Sequence, residues 1–213
     1  MAFDFITPEY FHNTLALPNL GVGSIERTSF DGVITKYVKE YLETILGYRL
    51  ANRLISIMDS YDPLNPSSTD AMYRYLVFGT TYVNEIDGLT YKWNGFTTHL
   101  DDDGTILGDK ISPIANYVYC RYRRDTATNT MGNSEVMSVH EHSITSSPLY
   151  KMVTAWNEMV KMNWHMHNWL MLNVEDSAFS SYGYIGETYE PDTDQFSDIH
   201  ENQNLFIFKN RVL

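Results

Sequence analysis

Between residues 29 and 47 the apolar side chains fall on Ile34, Tyr37, Val38, Tyr41, Leu42 and Ile45. Steps of three and four residues put them on one face of an α-helix, and such a helix must bury that face against another element. The spacing predicts a helix from about Ser29, with Lys36, Lys39, Glu40 and Glu43 on the opposite side. Lys36–Glu40 and Lys39–Glu43 are one turn apart, the separation at which side-chain ion pairs form on a helix. Gly47 reads as a C-cap, after which YRLANRLISIMDS opens a second helix.

The same alternation of helical period and turn chemistry organises the rest of the chain. Residues 1–23 read as a short extended lead with a turn of helix at Pro8–Leu15. YDPLNPSSTD is a loop whose end caps a third helix near Ala71–Phe78. Asp87-Gly88, Asn94-Gly95 and Asp103-Gly104 are turn dipeptides separated by runs rich in Thr, Tyr, Trp and Phe, the mark of a small hairpin or meander. Ser112-Pro113 and Ser147-Pro148 each place a capping hydroxyl before a proline preorganised for the first helical turn. They predict two more helices, the second running to about Leu172, with a β-like or irregular excursion over TNTMGNSEVMSVHEHSIT between them. After Asn173 no helical period survives, and from Val174 to Leu213 eight acids stand against two bases. The predicted fold is mainly α: a helical bundle core with an inserted β-hairpin or meander near 85–107. It spans 29–172, between an extended lead (1–28) and an extended acidic C-terminal arm (173–213).

Composition bounds the function. A chain of 213 residues suits one domain with appendages. Its formal net charge of −12 is the wrong sign for a protein that grips phosphates along its surface. One cysteine forms no internal disulfide. No stretch approaches the ~20 apolar residues of a membrane span, and MAFDFITPEY lacks a basic start and apolar run, so no membrane role is expected.

Chemistry was sought residue by residue. Cys120 sits in a helical pattern with Thr126 where a cysteine phosphatase loop needs arginine, and reads as a small apolar residue. His140 and His142 share a face if their segment is a strand, but a zinc site needs a third ligand that the sequence does not identify. They carry an alternative reading as a small metal-dependent enzyme. DDDGTILGD lacks the alternating acids and closing Glu of a calcium loop and reads as a hairpin turn. Nucleotide-binding and nucleophile-elbow motifs are absent from the sequence. Trp156, Met159, Val160 and Trp164 form a stripe at helical spacing, read as core. Arg121, Arg123 and Arg124 have three readings: capping of the helix C-terminus together with pairing on the chain's own surface, partners for acids on a neighbouring subunit, or a DNA contact.

Four segments recur together in one order: ITKYVKEYLETILGYRLANRLIS, YKWNGF, SPIANYVYCRYRRDTATNTMGN and SSPLYKMVTAWNEMV. In that order they resemble the head-to-tail connector (adaptor, collar or ring) proteins of tailed bacteriophages, in the version found in phages of Bacteroidetes hosts, including crAss-like phages. The resemblance spans roughly residues 30 to 165 and leaves out the first thirty residues and the arm. It implies a mainly helical virion protein at the head–tail junction, assembled in the host cytoplasm as a ring of about a dozen copies. The implied partners are copies of itself, the portal protein and adjacent ring or tail proteins, with genomic DNA only passing through the channel. A tail-completion or terminator protein is the neighbouring alternative. No catalytic residue, cofactor or metal is implied. The interface residues expected on this reading are Trp93, Tyr117, Arg121, Arg123 and Arg124, with Leu205, Phe206, Ile207 and Phe208 as an apolar end to the arm.

Overall fold

A computed structural model describes residues 3–17, 25–84, 88–97, 111–131, 134–137 and 149–173. The chain is mainly helical, as its periodicity predicts. In order come α1 (Ile25–Leu46), α2 (Tyr48–Met58), α3 (Ala71–Phe78), β1 (Thr80–Val83), β2 (Thr90–Trp93), α4 (Pro113–Ala127), β3 (Thr128–Met131), β4 (Ser134–Met137) and α5 (Leu149–Leu172). Among the described residues no helix is long and apolar enough to cross a membrane.

The predicted stripe of α1 is the buried one: Ile34, Tyr37, Tyr41, Leu42 and Ile45 lie in the core, and Val38 packs against it. α1 begins earlier than its stripe suggests, at Ile25. Gly47 divides α1 from α2 at φ 77°, a conformation open to glycine, and its carbonyl accepts from the Ala51 amide at 3.0 Å. Asp70 caps α3 by accepting from the Met72 amide at 2.8 Å. The N-terminal segment is no loose lead. Phe5, Ile6, Tyr10, Phe11, Leu15 and Leu17 are buried in the same core, around short 3-10 turns at Pro8–Tyr10 and Asn13–Leu15.

α4 and α5 are antiparallel. The buried Asn116 side chain donates to the Ala155 carbonyl at 2.9 Å, and one turn further along α4 the Cys120 thiol reaches the Met152 carbonyl at 3.4 Å. Cys120 is buried, as a small apolar residue would be. β1 and β2 form an antiparallel hairpin pairing Thr80 with Trp93 and Tyr82 with Tyr91. It starts earlier than 85–107, because the strands flank the Asp87-Gly88 turn and the Asn94-Gly95 pair lies beyond β2. β3 and β4 form a second antiparallel hairpin directly after α4, where a β-like or irregular excursion was expected. Asp103-Gly104, His140, His142, Ser147-Pro148 and the arm lie outside the described residues.

One knot joins α3, the first hairpin and the start of α4. The last turn of α3 leaves carbonyls without helical partners. The Trp93 indole N–H donates to the Leu76 carbonyl at 3.0 Å, and the Thr97 amide donates to that of Val77 at 3.0 Å. The Phe96 carbonyl accepts from the buried Ser112 hydroxyl at 2.5 Å, and the Ser112 oxygen accepts from the Ile114 amide at 3.2 Å to cap α4. The two backbones approach so closely that only glycine fits. A Cβ on Gly79 (φ 91°) would lie 2.5 Å from the Trp93 carbonyl oxygen, and one on Gly95 (φ 85°) 2.4 Å from that of Val77.

Gly79→Ala and Gly95→Ala are each expected to lower unfolding free energy by roughly 2–4 kcal/mol, since left-handed strain adds to a backbone clash. Gly88 also has positive φ, at 68°, but nothing lies within 4 Å of a Cβ there. Gly88→Ala is expected to cost only about 1 kcal/mol. Urea titrations of the three variants check the ranking.

Glu9 tethers the N-terminal segment to α1 through an ion pair with Arg27. The neighbouring Thr7 side chain and then the Arg27 guanidinium hold its carboxyl down from 4.5 to about 2. A lowered folded-state pKa stabilises above the unfolded value and is lost as pH falls through the folded one. The thermal midpoint of wild type over Glu9→Gln is therefore expected to shrink as pH drops from about 4.5 to about 2. A pH series of melting curves for the two proteins measures it.

Candidate functional site

The arginine-rich stretch that follows the tyrosines of α4 turns back onto its own chain. α1 and α4 share a polar seam in which Tyr37 donates to Asp125 and Tyr117 donates to Glu40. The Arg121 guanidinium donates to the Tyr117 hydroxyl at 2.7 Å and to Glu40 at 2.6 Å, and lies 5.0 Å from the Tyr117 ring centroid. Glu40 is thus drawn to α4, while the Lys36 ammonium sits 4.7 Å from the Tyr37 ring centroid in place of the expected Lys36–Glu40 pair. Lys39–Glu43 keeps its predicted i,i+4 spacing at 3.7 Å.

Burial pushes the Tyr117 phenol well above its usual range, and the Glu40 charge pushes it further, against the pull of Arg121. Burial likewise raises Tyr41, whose hydroxyl donates to Asn163 of α5. Both phenols stay neutral at physiological pH and act as donors. Burial alone would raise the Asp125 carboxyl, but hydrogen bonds from Tyr37 and Arg124 outweigh it and hold it below its usual range.

These contacts relocate most of the expected interface residues. Trp93 and Tyr117 are fully buried within the chain and offer no side-chain surface to a neighbour. Arg121 is committed to Glu40, and Arg123 lies over the Tyr119 ring at 5.7 Å. Arg124 pairs with Asp125 at 3.0 Å yet stays more than half exposed. Of the three readings of the arginines, pairing within the chain accounts for Arg121 and Arg124. Leu205, Phe206, Ile207 and Phe208 lie outside the described residues. Along α5, Met159 and Val160 are core, whereas Trp164 is 38% exposed and meets Tyr91 of the first hairpin edge-to-face.

A second feature was not foreseen. A cleft of about 470 Å³ opens between the N-terminal 3-10 turns, β2 and α5. Glu158, Lys161 and His165 line its α5 side, Lys92 enters from β2, and His12, Ile111 and Met162 complete the wall. Lys92, Lys161 and Glu158 form no ion pair among the described residues. Burial lowers the His165 pKa and the Lys161 charge lowers it further, so this imidazole is neutral at pH 7, with Nδ1 3.4 Å from the Tyr82 hydroxyl. The signal was present in the sequence: Glu158, Lys161 and His165 stand three and four residues apart, on one face of a helix. What the sequence could not supply was the other wall, built from residues 70 and 150 positions away in the chain. Among the described residues, no group of three or more His, Cys, Asp or Glu is placed to hold a metal.

No family model, no curated protein and no solved structure matches this chain.

The Glu40–Arg121 pair is about one-third exposed, so its coupling is expected to be modest, about 1 kcal/mol. A double-mutant cycle of Glu40→Ala and Arg121→Ala, read by chemical denaturation, measures it; strict additivity would remove the pair from any account of how α1 is held on α4.

Proposed function

We propose that this chain is a structural virion protein, a subunit of a ring that docks on the portal and links the capsid to the tail while leaving a channel for DNA. Two lines support the reading. The first is the order of the four sequence segments that resemble phage connector proteins. The second, which carries most weight, is the arrangement of the two hairpins. The β1–β2 hairpin lies against α5 at Trp164 and His165, whereas β3–β4 continues directly from the C-terminus of α4. Because α4 runs antiparallel to α5, that second hairpin leaves α4 at the end that faces the start of α5, the end of α5 that carries the exposed Tyr150.

Tyr150 and Trp164 are 14 residues apart on α5, about 21 Å along the helix axis. The two ends of the helix pair thus carry different hairpins and different exposed aromatics. Head-to-tail ring closure requires two unlike faces per subunit, whereas a two-fold dimer would use one face twice. Val83 and Leu89 near the tip of the first hairpin add exposed apolar surface at one of those ends.

Purified protein, alone and with portal, is expected to form closed rings of one copy number in negative-stain images and by mass photometry. A species that stays monomeric at high concentration and does not bind portal would sink the proposal.

A further inference from the structure

We propose that the cleft beside α5 is the docking site for the acidic C-terminal segment of the same chain, through its carboxylates between Glu187 and Asp194. This goes beyond the assembly reading and does not rest on it. The argument begins with where the charge lies. Of the fifteen Lys and Arg, twelve are in the described residues, and of the twenty-seven Asp and Glu, also twelve, so that body is neutral by count and the surplus of twelve acids lies elsewhere. Within this balanced body the cleft gathers Lys92, Lys161 and two imidazoles around a single carboxylate, Glu158. Neither lysine has an ion-pair partner among the described residues. Two cations that face one cleft with no ion-pair partner among the described residues suit an anionic partner, and the segment after Asn173 supplies eight acids against two bases.

Geometry selects which of those acids. Lys161 lies twelve residues before Asn173, about 18 Å back along the α5 axis. Glu175 and Asp176 cannot return that far, since three extended residues span about 10 Å. The next acid is Glu187, fourteen residues past Asn173. Fourteen extended residues reach roughly 45–50 Å, so Glu187 and the acids after it, Glu190, Asp192 and Asp194, are the first able to return to Lys161. Tethering within one chain raises the effective concentration of those acids at the cleft. Tyr189 among them, and Tyr184 three residues before Glu187, match the apolar part of the wall, where Ile111 is exposed and Met162 half-buried.

The test uses the full-length protein, diluted until light scattering gives the monomer mass. Zero-length carboxyl–amine cross-linking of a mixture of isotopically light and heavy chains is expected to join Lys161 or Lys92 to acids within 187–194, light to light and heavy to heavy. Links of those lysines only to the acids of 98–110, links only between light and heavy chains, or none at all would overturn the proposal. Amide exchange gives a second measure. Exchange across 184–194 is expected to quicken about fivefold in the Lys92→Glu, Lys161→Glu double variant, as loss of two exposed charge pairs implies. Replacing Glu187 and Glu190 by Lys in that background should restore protection. Both lysines are exposed, so circular dichroism and the unfolding midpoint of the double variant are expected to match wild type. Equal exchange in wild type and double variant would overturn the proposal as surely as missing cross-links.

Discussion

The knot between the end of α3 and the turn after β2 is the constraint from which the rest of the architecture follows. Two backbones meet there with no room for a side chain at Gly79 or Gly95, so their relative position is fixed to within a fraction of an ångström. The same contact satisfies the open carbonyls of α3 and seats Trp93 in the core, its ring 5.4 Å from Phe96. Phe96 in turn meets Tyr41 of α1 edge-to-face at 6.1 Å and, through its carbonyl, holds the capping hydroxyl of α4. Moving any one of these would displace α1, α3, the first hairpin and α4 together. The position of α4 then decides that of α5, its antiparallel partner.

Much of this was legible in the sequence where the cause is local. Asp70 and the pattern over 71–78 give α3 its observed bounds, and Ser112-Pro113 marks the start of α4, because caps and proline act within a few residues. The stripe on α1 was legible because burial repeats with the helical period. Where the cause is distant, the sequence misled. Glu40 had a plausible partner one turn away in Lys36 and takes Arg121 instead, eighty-one positions along the chain. Trp93 and Tyr117 were expected at an interface on the connector resemblance, yet their polar groups find partners inside: a helix-end carbonyl for one, Glu40 for the other. The N-terminal segment looked like a lead because it lacks a regular period, and irregular backbone has no periodic signature even when its side chains are core.

The cleft follows from the same limit. Its α5 wall is one face of one helix and can be read as a pattern, whereas the facing wall comes from β2 and the N-terminal turns, brought there by tertiary packing alone. The division of charge has a similar origin. The net charge of −12 is a property of the whole chain. Among the described residues acids and bases balance at twelve each, and the surplus of acids belongs to the residues outside them, eight of its acids after Val174.

Why tyrosine, where phenylalanine would fill the same space in α1 and α4, is answered by the seam. Tyr37, Tyr41 and Tyr117 each bury a ring in the core and send the hydroxyl to a group on another helix: Asp125 on α4, Asn163 on α5 and Glu40 on α1. A phenylalanine would contribute comparable apolar burial while tolerating a slip of α1 along α4. The hydroxyls do not tolerate one, since a shifted helix would leave Glu40, Arg121 and a buried phenol without partners, each at a cost of ~1–3 kcal/mol. The net gain in stability from such bonds is small because water offers similar ones to the unfolded chain. Their effect is on register: among compact arrangements of similar apolar burial, they penalise all but the one in which three helices align together. The proposed ring function needs two unlike ends at a fixed separation, and for that, register between α1, α4 and α5 matters more than the last kilocalorie of stability.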